Sequence, residues 1–397
     1  MMRSALGLVM SSICCFACAA CAAEVTPAGP VHDDGLSSLD SGAVEQSAAG
    51  KPSTPPSSSL PDAAAHDSGL AIDASSSVAA DASASAKPDA STVDASTNTN
   101  DAASPMVTAM GKSAGCGKPR PDADSSTQFI KHEVAVTGVD PAFIAAHPAN
   151  GGSWTDRSYF VRLPQGYDPA HPYPLSIGGS GCGATDGNSG HGGGLTALPQ
   201  GQSLAIQVGL NYVYPQNAGA CFADDYVNTP DLPYFDAVLA DLETNYCIDR
   251  DRVFVDGFSS GAWETYLLGC ARAGVVRGIG TAAGGLRMKR PPCSSGKVAA
   301  ILVAGLNDTE NPIGPLEPPG KNDSLGSAPA RDDILARNGC TGSDTTPWDA
   351  EFPACVKYSG CPAAYPVVWC AIDAGHGDGG EISAKGFWKF WSALPAL

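Results

Sequence analysis

The sequence predicts a doubly wound α/β domain behind a long acidic leader, and three observations carry that reading. From residue 113 onward, short apolar runs rich in Val and Ile alternate with amphipathic helical stretches. One such run, Arg252 to Asp256, leads directly into Gly257-Phe-Ser-Ser-Gly261, and a helical pattern follows. Trp, Tyr and Phe are absent from Ala17 to Gln128. Alternating strands and helices with near-continuous apolar strands suit a mainly parallel sheet covered on both faces. A stretch without aromatic residues cannot bury enough apolar surface to offset its ordering entropy, so it is expected to be disordered.

In chain order, Arg3 and the apolar run Ala5 to Ala20 read as an export signal over residues 1–23, too short to span a bilayer comfortably. Two endings compete: a small-residue cleavage site at Cys21-Ala22-Ala23, and a lipobox Ala19-Ala20-Cys21 that would place a lipid on Cys21. Residues 24–112 form a linker with Asp-Ala-Ser units at Asp73, Asp81, Asp89 and Asp94, a compositional bias with no recurring apolar face. Such a coil reaches roughly 50 Å and would tether a domain to a membrane if Cys21 is lipidated. The expected destination is outside a bacterial cell, either freely secreted or as an outer-surface lipoprotein. The net charge of −18 is mostly this linker: twelve acidic residues stand between Glu24 and Met110 against Lys51 and Lys87. No basic patch is visible, which argues against nucleic acid as a partner.

The domain, residues 113–397, opens with a strand over Tyr159 to Leu163 and a turn at Pro164 to Tyr167. Pro174 to Ile177 is a short strand that opens into a glycine-rich loop, Gly178 to Gly194. Within Ala205 to Tyr214 the residues Asn211 to Tyr214 read as a strand. Phe235, Val238, Leu239, Leu242 and Tyr246 recur at helical spacing, giving a helix over Leu232 to Tyr246. A helix over Ala262 to Ala273, strands at Val298 to Ala304 and Pro366 to Ile372, and a closing helix from Gly386 to Leu394 complete the alternation.

Of 14 cysteines, four lie in the signal, leaving Cys116, Cys182, Cys221, Cys247, Cys270, Cys293, Cys340, Cys355, Cys361 and Cys370. An even set in an exported domain predicts up to five disulfides whose pairing the sequence leaves open. Among these ten there is no C-x-x-C and no histidine at zinc-finger spacing, so neither metal nor cofactor is expected.

Strand, G-x-S-x-G and helix together make the nucleophile elbow of α/β-hydrolases, with Ser259 as nucleophile. Gly111-Lys-Ser-Ala-Gly115 matches the same pentapeptide, but no convincing strand precedes it and no helical pattern follows, so Ser113 is read as coincidence. A serine needs a base, and the base a carboxylate, in the chain order Ser, acid, His. Of seven histidines only His376 follows Ser259. Asp308 closes a predicted strand between the two, whereas Asp323, Asp332, Asp333, Asp344 and Asp349 lie in polar text. The backbone amides of Ser260 and of Gly181 or Cys182 are the expected oxyanion donors.

From Ser113 onward, about 70% of the chain, the text resembles the secreted esterases grouped as polyhydroxybutyrate depolymerase-like and feruloyl or acetylxylan esterases, carbohydrate esterase family 1-like. The matching pieces are Ser113-Ala-Gly-Cys-Gly-Lys118, Leu163-Pro-Gln-Gly-Tyr-Asp168 with Pro172-Tyr-Pro-Leu175, and Tyr246 to Val253 before the elbow. The run from Tyr358-Ser-Gly-Cys361 through Pro366 to Cys370 and on to Gly375-His376 is the most specific. Ser180 stands where the family has the histidine of a His-Gly pair. The resemblance makes Ser113 part of a domain-start signature and implies ester hydrolysis through an acyl-enzyme at Ser259. It leaves the ester open: feruloyl or acetyl esters of plant polysaccharides first, short-chain polyesters such as polyhydroxybutyrate second, with a non-catalytic surface adhesin as the reading from another class. Trp263 and Trp369 would either stack a feruloyl ring or belong to the core. The 67 residues between Asp308 and His376 are expected to form a disulfide-pinned cap over the pocket of a monomer.

Overall fold

The computed structural model describes residues 110–121, 124–183, 204–320, 323–377 and 379–397. The expected signal, Cys21, nearly all of the acidic linker and the glycine-rich loop beyond Gly183 lie outside the described residues. In chain order, β1 (Ile130–Ala135), α1 (Pro141–Ala146), β2 (Ala149–Asn150) and β3 (Asp156–Arg162) lead into β4 (Tyr173–Gly179). Then come β5 (Ile206–Leu210), β6 (Tyr214–Pro215), α2 (Asp231–Asn245), β7 (Ile248–Phe258), α3 (Ser260–Ala271) and β8 (Gly278–Ala282). After β9 (Leu286–Arg287), β10 (Ala299–Gly305) and β11 (Ser324–Gly326) follow α4 (Ser327–Asn338), β12 (Thr345–Asp349), β13 (Phe352–Tyr358), β14 (Val367–Ile372) and α5 (Phe387–Ser392).

Ten strands form one sheet in the order β1-β3-β5-β4-β7-β8-β10-β14-β13-β12. The six central strands, β5 to β14 in that order, are parallel, and antiparallel strands extend both edges. Parallel strands covered on both faces must be apolar on both, and β5, β8 and β10 are buried at every position. The sheet's C-terminal edge therefore gathers the turns after β4, β7, β8, β10 and β14, where ligands of open α/β sheets bind.

Two elements differ from the sequence reading. The strand expected at Asn211 to Tyr214 lies earlier, at Ile206–Leu210. Asn211 has no ladder role: its N–H donates to the Tyr234 hydroxyl at 3.1 Å and its carbonyl accepts from Arg157 at 3.0 Å. The closing helix starts sooner than Gly386, in a π-helical turn over Ile382–Gly386 that runs into α5.

All ten candidate cysteines pair, as Cys116–Cys247, Cys182–Cys221, Cys270–Cys293, Cys340–Cys361 and Cys355–Cys370. Their positions correct the expectation of a cap. The segment after Asp308 builds α4 and the β12–β13 hairpin, which extends the sheet, and Cys355–Cys370 ties β13 to its neighbour β14. Those residues continue the fold sideways because Phe352 and Cys355 bury against Val368 and Cys370 in the core.

Candidate active site

At the end of β7 the chain must turn sharply into α3, and the two glycines of the pentapeptide make the turn feasible. A Cβ on Gly257 would lie 2.1 Å from the Gly261 carbonyl oxygen, and one on Gly261 2.0 Å from that of Gly179. Between them Ser259 sits at φ 53°, ψ −116°, a left-handed conformation that a non-glycine residue adopts only when its surroundings enforce it. Its amide is fixed by the Ala282 carbonyl at 3.0 Å, and its own carbonyl accepts from Ala262 and Trp263 at 2.9 and 3.1 Å.

The other two residues come from the turns after β10 and β14, neighbours in the sheet. Leu306 N–H donates to the Ile372 carbonyl at 2.8 Å and Asn307 N–H to that of Ala374 at 2.9 Å, so the two turns zip together. His376 Nδ1 then lies 2.9 Å from Asp308 Oδ2, and His376 Nε2 lies 2.9 Å from Ser259 Oγ. The Asp308 side chain has no exposure, and its Oδ1 also accepts the amides of Glu310 and Asn311, each at 2.8 Å. A carboxylate held by two amides has one direction left for the imidazole. An ionised carboxylate only accepts, so opposite ionised Asp308 a neutral imidazole carries its proton on Nδ1 and leaves Nε2 to accept from the Ser259 hydroxyl.

A cavity of about 550 Å³ opens at Ser259 and His376, within the range of small-molecule sites. Its outer wall is the segment from Pro215 to Tyr226, a short stretch of small and polar residues without helical or strand periodicity, which sequence reasoning passes over. Trp263 lines the cavity, beneath the Arg287 guanidinium 3.9 Å from the ring centroid. Arg287 is in turn held by buried Asp224, Nε to Oδ2 at 2.8 Å. Burial pushes the Asp224 carboxyl up to about 6, with the arginine opposing. Trp369 is a correction: it lies on β14 in the core, beside Tyr266 and Leu302, and is absent from the cavity wall. The β14 strand turns that ring toward α4, where the Arg331 guanidinium stands 5.0 Å from it.

Ser180, Gly181 and Cys182 follow β4 beside the elbow, and the Ser180 carbonyl accepts from Gly261 at 2.8 Å. The amides of Gly181, Cys182 and Ser260 donate to no other group among the described residues. Ser113 lies elsewhere, against the first residue of β7, with both hydrogen-bonding roles used: its hydroxyl donates to the Tyr246 carbonyl at 2.5 Å and accepts from Ile248 N–H at 2.8 Å.

A parallel sheet with an elbow serine after a central strand defines the class: the chain is an α/β-hydrolase. No family model matches it. Among characterised proteins it is 29% identical to feruloyl esterase C of Emericella nidulans over 252 residues, 60% of this chain and 84% of that one. It is 27% identical to a probable feruloyl esterase C of Aspergillus terreus over 72% of this chain and 93% of that one. Feruloyl esterase D of Neurospora crassa is 26% identical, over 73% and 93%. Among solved structures, an acetyl xylan esterase from Aspergillus awamori aligns with a TM-score of 0.46 at 12% identity, covering 66% of this chain and 99% of that one. The chain is a carboxylic ester hydrolase related to the feruloyl esterases.

Proposed function

We propose that the protein is an exported serine esterase that cleaves feruloyl or acetyl esters of plant polysaccharides through an acyl-enzyme. The observation that carries this reading is the line of hydrogen bonds from Asp308 through His376 to Ser259, ending at a 550 Å³ cavity. His376 Nε2 takes the Ser259 proton as Oγ attacks the ester carbonyl, and the Asp308 carboxylate stabilises the imidazolium that forms. The developing oxyanion is met by the Ser260 amide and by that of Gly181 or Cys182. Collapse expels the sugar alcohol, which takes its proton from His376. Water, deprotonated by His376, then attacks the acyl-serine and releases the acid.

The feruloyl preference is supported by relatives named as feruloyl esterases and by a cavity whose lining includes the aromatic side chains of Trp263 and Tyr226. A polyester reading has one observation in its favour. Val227 and Met288, which follow the cavity residues Tyr226 and Arg287, are 62% and 50% exposed, apolar groups a solid polymer would cover. Export, with or without a lipid on Cys21, is supported by five disulfides, which persist in oxidising compartments. Purified protein is assayed on methyl ferulate, p-nitrophenyl acetate and hydroxybutyrate oligomers. Turnover of methyl ferulate is expected. Cleavage of the oligomers alone would reverse the substrate order, and no turnover of any ester would refute the proposed activity.

A further inference from the structure

Three consecutive residues of the cavity wall reach both sides of the oxyanion hole. The Ala220 carbonyl accepts from Gly183 N–H at 2.7 Å, Cys221 is bonded to Cys182, and Phe222 N–H donates to Ser260 Oγ at 2.8 Å. Across the gap, Gly261 N–H donates to the Ser180 carbonyl at 2.8 Å. Together these links close a ring: Ser180 to Cys182 along the chain, across the disulfide to Cys221, on to Phe222, through the hydrogen bond to Ser260, and by Gly261 back to Ser180. The amides of Gly181, Cys182 and Ser260, which donate to no group among the described residues, all belong to it. The ring is braced from behind, because Ala223 N–H donates to Asp231 Oδ2 at 2.6 Å and Asp231 is paired with Arg157, both side chains fully buried.

We propose that this ring sets the spacing between the two oxyanion donors, with Cys221 and the Ser260 hydroxyl as positioning residues for the transition state. The inference rests on Ser259 being the nucleophile. The Ser260 hydroxyl is completely buried and stands beside the catalytic serine, yet it faces away from the chemistry, accepting a hydrogen bond from the wall. Oxyanion donors act only when already aimed at the position that the charged oxygen will occupy. A small displacement costs rate without costing affinity for the neutral ester, since the ground-state carbonyl demands little from the same amides. One residue, Ser260, thus serves twice: its amide binds charge while its side chain fixes where that amide points.

The test compares kcat, KM and the affinity for an aryl trifluoromethyl ketone, whose carbonyl accepts the Ser259 oxygen to give a hemiketal oxyanion. Ser260→Ala is expected to lower kcat on p-nitrophenyl acetate about 10- to 100-fold, part of the loss seen when a whole donor is removed, with KM held within about threefold. Ketone affinity falls by the same factor as kcat/KM. Ser260→Thr, which keeps the acceptor oxygen, recovers most of both. The double variant Cys182→Ser/Cys221→Ser behaves like Ser260→Ala, whereas Cys340→Ser/Cys361→Ser, which opens a disulfide outside the ring, leaves kcat unchanged. If the first double variant fails to fold, the Ser260 pair decides alone. Ser260→Ala with unaltered kcat and ketone affinity, alongside an inactive Ser259→Ala, would overturn the ring and leave the serine mechanism standing. Turnover surviving in Ser259→Ala would overturn both.

Discussion

The two G-x-S-x-G pentapeptides sit at opposite ends of the same strand, and they differ in what each serine hydroxyl meets. At the C-terminal end of β7, Ser259 has φ 53° and an imidazole nitrogen 2.9 Å from its hydroxyl. At the other end, Ser113 N–H donates to the Ile248 carbonyl at 2.9 Å and its hydroxyl is saturated by Tyr246 and Ile248. Cys116, bonded to Cys247, fastens the same segment. Both serines are buried, at 8% and 4% exposure, so burial does not separate them. The partner does. Backbone groups that accept and donate permanently make Ser113 a clip, whereas the imidazole beside Ser259 is the kind of partner that the proposed nucleophile requires.

The largest expected difference is in rate. Ser259→Ala should lower kcat by about 10⁴- to 10⁶-fold, the scale seen when a triad nucleophile is removed. Ser113→Ala should leave kcat on p-nitrophenyl acetate within about twofold, because nothing it touches reaches the cavity. Steady-state assays on the two purified variants check the contrast, and a comparable loss in both would refute the division of labour.

The second difference is in stability. Opening the Cys116–Cys247 disulfide by a double Cys→Ser substitution releases a loop of 131 residues and should cost about 2–5 kcal/mol. The elbow keeps its geometry, so kcat at 25 °C should hold while thermal inactivation moves to lower temperature. A variant that stays fully stable would mean the clip does not depend on its covalent bond.

The contrast between the two ends also bears on what the sequence made legible. The elbow is legible because a tight strand-to-helix turn needs contiguous small residues in fixed order, and elimination points to His376, whose Nε2 lies 2.9 Å from Ser259 Oγ. The strands β7, β10 and β14 carry enough Val and Ile to announce themselves. By contrast β8, Gly278–Ala282, carries no such signal: its Gly280 is small because a Cβ there would come within 2.6 Å of the Phe387 ring, a constraint imposed from over a hundred residues away. Helix α4 is not legible because only Ser327, Ala328, Ala330, Ile334 and Asn338 bury, too few large apolar groups to show a period. The wall from Pro215 to Tyr226 has no period of its own. Long-range partners hold it, Cys182 and Ser260 among them, and neither is marked by local spacing.

A third expectation concerns pH and falls on the elbow end of β7. Burial pushes the Asp256 carboxyl from 3.8 up to about 8, with only its own backbone amide opposing. A raised carboxylate favours the folded state while it stays protonated. That contribution is complete below pH 4, declines as the unfolded chain ionises above it, and is gone once pH passes about 8. Buried Asp224, raised to about 6, and Glu264, raised by burial near Asp231 and Asp224, add slope in the same direction. Urea midpoints should therefore fall from pH 5 to pH 8, and Asp256→Asn should flatten the part between 6 and 8, above the range in which Asp224 ionises. An unchanged slope in that variant would show that Asp256 keeps an ordinary carboxylate pKa.

The smallest expected effect returns to Ser113. Ser113→Ala removes an acceptor for the Ile248 amide and a donor for the Tyr246 carbonyl in one step, both inside the clip. Leaving such groups unpaired costs about 1–3 kcal/mol, which for a domain of this size lowers the melting temperature by about 2–4 °C for each kcal/mol. The cost should fall below that of the disulfide, because Ser113 N–H still donates to Ile248 and the covalent bond still holds the segment. In the Cys116→Ser/Cys247→Ser background the same substitution should cost more, since the serine then carries the clip alone. Thermal melts of the four variants form a double-mutant cycle. A coupling energy near zero would mean that the serine and the disulfide fasten the segment independently.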